Sequence, residues 1–233
     1  QFEVIKDAKS QPLYGLETLP VYFLAWTTTP WTLPSNTALC VGPDIEYVRV
    51  KSFNPYTGAE AIYVVAKSLV SEWFSPKAAE LQLEDYKPGD KLIPFKVLDG
   101  TFKGSDLVGI RYHQLIPWFK PLEGDAFRVI PGDYVSTDEG TTGIVHIAPT
   151  FGADDKKVAA AAGIPPMMVL DKNGNPQPQV DHDGRFCLLE DLDPEYVATH
   201  VAPEYKEYAG RFVKNAFADS LPKAAPTLDI DLC

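Results

Sequence analysis

Two short segments carry side chains that could bind or cleave a polar substrate. The first is Trp26-Thr27-Thr28-Thr29-Pro30-Trp31-Thr32-Leu33-Pro34-Ser35-Asn36. Apolar and aromatic residues over 22–26 predict a strand leading into it. Pro30 has no N–H to donate, so regular pairing stops there and the threonines sit at a strand end. Hydroxyls both donate and accept, which suits ribose, phosphate or a positioned water. The second is Thr142-Gly143-Ile144-Val145-His146-Ile147-Ala148-Pro149-Thr150-Phe151-Gly152-Ala153-Asp154-Asp155. Strand alternation puts Ile144, His146 and Ala148 on one face. Gly152 ends a turn, and Asp154 and Asp155 open a helix, where acids complement the helix dipole. Each group has an ordinary structural role when taken alone: a β-branched strand end, a core histidine, two helix-start acids.

The elements that have to position these residues are short and mixed. Residues 46–50 and 61–65 read as a hairpin around Asn54-Pro55-Tyr56-Thr57-Gly58. A short helix is expected over 67–74, and strands at 81–83, 128–130, 143–148 and 167–170. A helix over 153–162 is stopped by Gly163 and by Pro165-Pro166. A polar loop covers 171–179, and 193–220 reads as two helices with Pro194 and Pro203 in their first turns. The pattern predicts a mixed α/β, β-rich fold with a barrel-like β core and peripheral helices. Neither GxGxxG nor a Walker A sequence occurs, which removes the usual nucleotide-binding sheets.

The bulk properties narrow the function. The net charge is −11, which argues against a stand-alone nucleic-acid binder, because phosphate contacts need Lys and Arg. Any RNA contact is then local. Cys40, Cys187 and Cys233 form neither a CxxC pair nor a disulfide framework, and a reducing, cytoplasmic location fits them. Asp181-His182-Asp183-Gly184 has metal-like residue types, but it is a polar turn by composition and no second ligand cluster is spaced to help it, so no metal is expected. No GxSxG elbow or Cys/His pairing supports a covalent hydrolase. No apolar run is long enough to cross a membrane. The ends read as those of a piece excised from a longer polypeptide, forming a single domain over 1–233.

Together the two segments resemble the editing domain inserted into isoleucyl-tRNA synthetases. WTTTPWTLPSN at 26–36 followed by Thr37-Ala38-Leu39, and TGIVHIAPTFGADD at 142–155, carry the likeness, and AGIPPM at 162–167 and YAGRFVKNA at 208–216 extend it over most of the chain. Valyl and leucyl relatives have a charged residue in place of Thr29. The resemblance implies that Thr27, Thr28 and Thr29 hold the terminal adenosine and the reactive water, that Asn36 adds a polar group from the same loop, that His146 walls the amino-acid pocket, and that Asp155 binds the substrate's α-ammonium. Two positions depart from the family pattern. Its usual GTG reads Gly140-Thr141-Thr142-Gly143 here, and Phe151 stands where many bacterial relatives have histidine, which argues against a required catalytic group at that site.

The implied activity is hydrolysis of the ester of Val-tRNA(Ile), selecting against isoleucine, without a cofactor. The implied partners are the 3′ end of tRNA(Ile) carrying a noncognate amino acid and the rest of the synthetase chain, with no membrane. The synthetase's own HIGH and KMSKS signatures are missing, so amino-acid activation is not expected of this chain. The alternatives are a valyl- or leucyl-type editing domain and a non-catalytic tRNA-docking or spacer domain.

Overall fold

The computed structural model of the chain describes residues 1–213. The chain forms two compact units. One comprises Gln1–Trp26, Leu39–His113 and Phe127–His146; the other comprises Thr27–Ala38, Gln114–Ala126 and the described residues from Ile147. Both candidate segments therefore begin in the first unit and end in the second.

The strands are β1 (Phe2–Glu3), β2 (Val21–Phe23), β3 (Ala38–Val41), β4 (Glu46–Phe53), β5 (Glu60–Ala66), β6 (Lys96–Lys103), β7 (Arg128–Pro131), β8 (Ile144–Ile147), β9 (Val169–Leu170) and β10 (Pro176–Gln177). The helices are α1 (Gln11–Tyr14), α2 (Val70–Trp73), α3 (Gly104–Leu107), α4 (Ala153–Ala161) and α5 (Pro194–His200). In the first unit, a five-stranded sheet runs in the order β1-β2-β5-β4-β6. Only the β2–β5 pair in it is parallel. The β4–β5 hairpin appears as expected. The Asn54 side chain accepts the N–H groups of Tyr56 and Thr57, and Gly58 turns the chain at φ +72°. The smaller sheet, β7-β3-β8, also belongs here apart from its end residues Ala38 and Ile147.

The mixed, strand-rich class agrees with the sequence reading, but the sheets do not close into a continuous barrel among the described residues. Isolated bridges span the gaps instead. Val4 pairs with Tyr112, Arg111 with Arg128, and Trp26 with Val145. These link the β1 edge to β7 and the chain beyond β2 to β8, so the seams are single bridges where a barrel would have ladders. The expected strand over 22–26 is correspondingly short, with Trp26 reduced to one bridge. Residues 81–83 are not a strand: a 3-10 turn occupies Leu83–Asp85, and Leu81 is exposed.

A buried tyrosine ties the smaller sheet to the hairpin. The Gly42 N–H donates to Tyr47 Oη at 3.1 Å, and the Tyr47 hydroxyl donates to the Gly143 carbonyl. The Ala66 N–H donates to the Thr142 carbonyl at 3.0 Å. A Cβ on Gly143, at φ +74°, would lie 2.5 Å from that of Ala66, so the close approach requires glycine. Gly140 is also left-handed, at φ +81°, which fixes the Gly140-Thr141-Thr142-Gly143 turn with Thr142 buried between the two glycines.

The second unit carries α4, the β9–β10 hairpin and α5. Helix α4 ends as its sequence predicts: Gly163 is at φ +67°, its N–H reaches the Ala160 carbonyl, and the Ile164 N–H reaches that of Ala159. Asp193 caps α5 by accepting the Tyr196 N–H at 2.8 Å, with Pro194 in the first turn. The second expected helix is only a 3-10 turn over Pro203–Glu207, and the rest of that expectation, to residue 220, lies outside the described residues. The strand-like end at 227–233 also lies outside them. The core packs Phe119 edge-on to Tyr205 with centroids 4.4 Å apart, and the Tyr205 hydroxyl donates to the Cys187 carbonyl. Among the described residues no helix is long and apolar enough to cross a membrane.

Tyr47→Phe keeps the ring but leaves two buried backbone groups without their partner. It is expected to destabilise the chain by about 1–3 kcal/mol, read as a lower urea midpoint at unchanged slope.

Candidate functional site

The threonine loop folds on itself within the second unit. Beyond the strand end, Pro30–Ser35 forms a 3-10 helix. The Thr29 N–H donates to Thr27 Oγ1 at 3.1 Å, and the Thr27 and Thr29 hydroxyls lie 3.5 Å apart. Thr32 continues the row, 3.4 Å from Thr29 Oγ1, and donates its own hydroxyl to the Thr29 carbonyl at 2.8 Å. The contacts between hydroxyls are long, so the groups keep capacity for a stronger partner. Thr27 and Thr29 are half-buried and Thr28 is exposed. Thr32 was not singled out from the sequence; its signal was the i, i+3 spacing that a 3-10 turn brings onto one side.

Asn36 lies deeper than the threonines. It is 2% exposed, and its amide donates to the Ala38 carbonyl at 2.8 Å, fixing the exit of the loop into β3. The neighbouring Ser35 hydroxyl donates to Gln179 Oε1 at 2.9 Å.

Asp155 stands in the first turn of α4, with Gly152 at the N-cap. Its carboxylate turns back to accept the Ala148 N–H at 2.8 Å, while the N–H groups of Phe151 and Gly152 close a turn onto the Ala148 carbonyl. A Cβ on Gly152 would lie 2.8 Å from Asp155 Cγ, so only glycine leaves room for this return. Burial raises the Asp155 pKa above the ordinary carboxylate value. The Ala148 N–H opposes that rise, and the charge of Asp154 adds to it. An ionised carboxylate in this position is short of solvation, and a bound ammonium would relieve the deficit.

Within the second unit the two segments meet through Trp31 and Phe151, whose rings are edge to face at 5.2 Å. Both rings line a cleft of about 450 Å³ with Thr150, Gln177, His182 and Cys187. The sequence marks 171–179 only as a polar loop and 181–184 only as a polar turn. Asp181 confirms its turn character by accepting the N–H groups of Asp183 and Arg185, and no cluster of three metal-ligating side chains occurs among the described residues. Cys40 and Cys187 are buried, and burial pushes the Cys187 thiol up to about 11, so it stays protonated.

His146 belongs to the first unit, on β8. It is 8% exposed, and burial pushes its pKa down to about 4. The ring is therefore neutral near pH 7.

Over 213 residues, 91% of its length, the chain is 61% identical to the isoleucine–tRNA ligase of Bacteroides fragilis. Over its whole length it is 52% identical to the isoleucine–tRNA ligase of Porphyromonas gingivalis. The chain belongs to the isoleucine–tRNA ligase family. It spans only 18% and 20% of the length of those two ligases, so it corresponds to one segment of them. No family model matches it. The editing domain of the P. knowlesi cytosolic leucyl-tRNA synthetase superposes with a TM-score of 0.50 at 17% identity, over 66% of this chain and 58% of that one. This ligase segment therefore has the fold of synthetase editing domains.

The neutral His146 sets an acid limit on stability. Its pKa falls from 6.5 in the unfolded chain to about 4 in the folded one. The contribution is present above pH 6.5 and is lost as pH falls toward about 4, where the unfolded state alone takes up the proton. The loss is about 3 kcal/mol. In His146→Gln, urea unfolding measured across this window is expected to show a shallower fall in stability.

Proposed function

We propose that this chain hydrolyses the ester joining a wrong amino acid, chiefly valine, to the terminal ribose of tRNA(Ile). The observation that carries the reading is the half-desolvated Asp155 carboxylate held in the same unit as the threonine row. Asp155 takes the α-ammonium of the aminoacyl group by a charge-assisted hydrogen bond. Thr27, Thr28 and Thr29 hold the terminal adenosine and the attacking water, and Asn36 keeps their loop in shape. The water oxygen adds to the ester carbonyl carbon, the bond to the ribose oxygen breaks, and the ribose oxygen leaves with a proton. The products are free valine and uncharged tRNA. An aminoacyl ester is already activated, so orientation supplies what a nucleophilic side chain would otherwise provide. The remainder of the synthetase delivers the tRNA end, and the reaction takes place in the cytoplasm.

Selectivity falls to His146. A pocket separates substrates differing by one methylene by only about 1–3 kcal/mol, a limit for which this family's isoleucine–valine problem is the standard example. A second site that admits valine and excludes isoleucine by bulk removes the error. A neutral imidazole with pKa about 4 is a weak base at pH 7, which supports a steric role over proton transfer.

In a full-length synthetase containing this chain, Asp155→Ala should let Val-tRNA accumulate while isoleucine activation stays nearly unchanged. Normal deacylation by that variant would overturn the assignment of Asp155. Wild-type deacylation should fall in acid, because the Asp155 carboxylate must be ionised to hold the ammonium and its pKa is raised. The acid limb of the rate profile is expected above the ordinary carboxylate range. His146→Ala should raise deacylation of correctly charged Ile-tRNA with valine hydrolysis less affected. A parallel loss of about 10²–10⁴-fold on both esters would make His146 a general base instead. Absence of deacylation by the wild-type synthetase would leave a docking or spacer role.

A further inference from the structure

The first unit exposes two tryptophans side by side. Trp26 is 52% exposed and Trp73 38%, with ring centroids 5.7 Å apart and planes tilted by 44°. Exposed indoles carry a large apolar area that water solvates poorly, so a paired exposure calls for an occupant. The Trp73 ring and the Trp26 backbone are held in place. The Trp73 indole N–H donates to the Thr141 carbonyl at 2.7 Å, and beside it the Glu72 carboxylate accepts the Gly140 N–H at 2.9 Å. Trp26 is fixed through the backbone by its parallel bridge to Val145. The Trp73 ring therefore does not have to be ordered when a ligand arrives, which lowers the entropic cost of binding.

The position of the pair indicates the occupant. Trp26 is bonded directly to Thr27, and its bridge partner Val145 directly to His146. The first candidate segment thus starts at Trp26, and the second passes Trp26 at Val145. The proposed substrate ends in a single strand, whose bases are unpaired and present their faces. Aromatic stacking is the sequence-tolerant way to hold such bases. With a net charge of −11, the chain is poorly suited to gripping that strand through its phosphates, which leaves stacking as the available source of local affinity.

We propose that Trp26 and Trp73 form a stacking platform for a base at the single-stranded 3′ end of the tRNA. The proposal rests on the reading that this chain acts on tRNA. It makes the two indoles binding residues, with no part in the bond-breaking step.

The test uses a full-length synthetase containing this chain and an uncharged RNA minihelix ending in CCA. One minihelix carries a fluorescent adenine analogue at the terminal base, and a second carries a fluorescent cytosine analogue at the penultimate base. Stacking on an indole quenches both dyes. Binding to the wild type is expected to quench at least one of them. Trp26→Ala and Trp73→Ala should abolish the quench and raise the Kd about tenfold, while Trp26→Phe and Trp73→Phe retain most of the affinity. Quenching of neither dye overturns the proposal, as does quenching that persists in both alanine variants. A drop in melting temperature with unchanged minihelix affinity also overturns it, and assigns the pair to packing against the rest of the synthetase. The readout needs no hydrolysis, so a failure here is separate from a failure of the wild type to deacylate Val-tRNA.

Discussion

The Asp155 carboxylate is half out of water at the start of α4, and under the proposed function it has to stay ionised there to hold an ammonium. Among the described residues its backbone donor is the Ala148 N–H, which supports the charge without saturating it. The start of α4 adds the favourable end of the helix dipole. The helix is in turn held at its far end by the Gly163 turn and the Ile164 N–H, so the carboxylate is placed from both sides. One N–H leaves room for a ligand; two or three would have pulled the pKa down and left an ammonium little to gain.

Burial moves the pKa values of Asp155 and His146, both in the second candidate segment, in opposite directions. It keeps Asp155 reluctant to ionise and His146 reluctant to take a proton. Under the proposed function the first effect sharpens recognition of a cation, and the second leaves an uncharged imidazole as a block. The threonines complete the set with hydroxyls that are loosely joined to one another and so remain adaptable. None of these groups is a strong nucleophile, and the arrangement suits a substrate whose bond is already weak.

The sequence was readable where one local rule governs. The 153–162 helix, its glycine stop, the hairpin around Asn54 and the break at Pro30 follow from turn and capping chemistry alone. It was unreadable where tertiary pairing overrides pattern. Strand β6, Lys96–Lys103, is an exposed edge carrying lysines and a glycine, and only its register on β4 makes it a strand. The single-bridge seams at Tyr112, Arg128 and Val145 leave no periodic trace. At the site, Thr32 and the Trp31–Phe151 pair went unassigned because their significance comes from contacts made after folding, in residues that read in sequence as turn and loop.

The room that Gly152 leaves for the Asp155 side chain has a consequence for how such a sequence can drift. Any larger residue at 152 collides with Asp155 Cγ, so it is tolerated only once that side chain has been shortened or turned away. Either change removes the carboxylate from the place where it accepts the Ala148 N–H. The two positions therefore form a one-way gate. A lineage can lose the carboxylate first and the glycine afterwards, whereas the reverse order passes through a clash, and a chain that still has Gly152 has kept open the way back to a working anion.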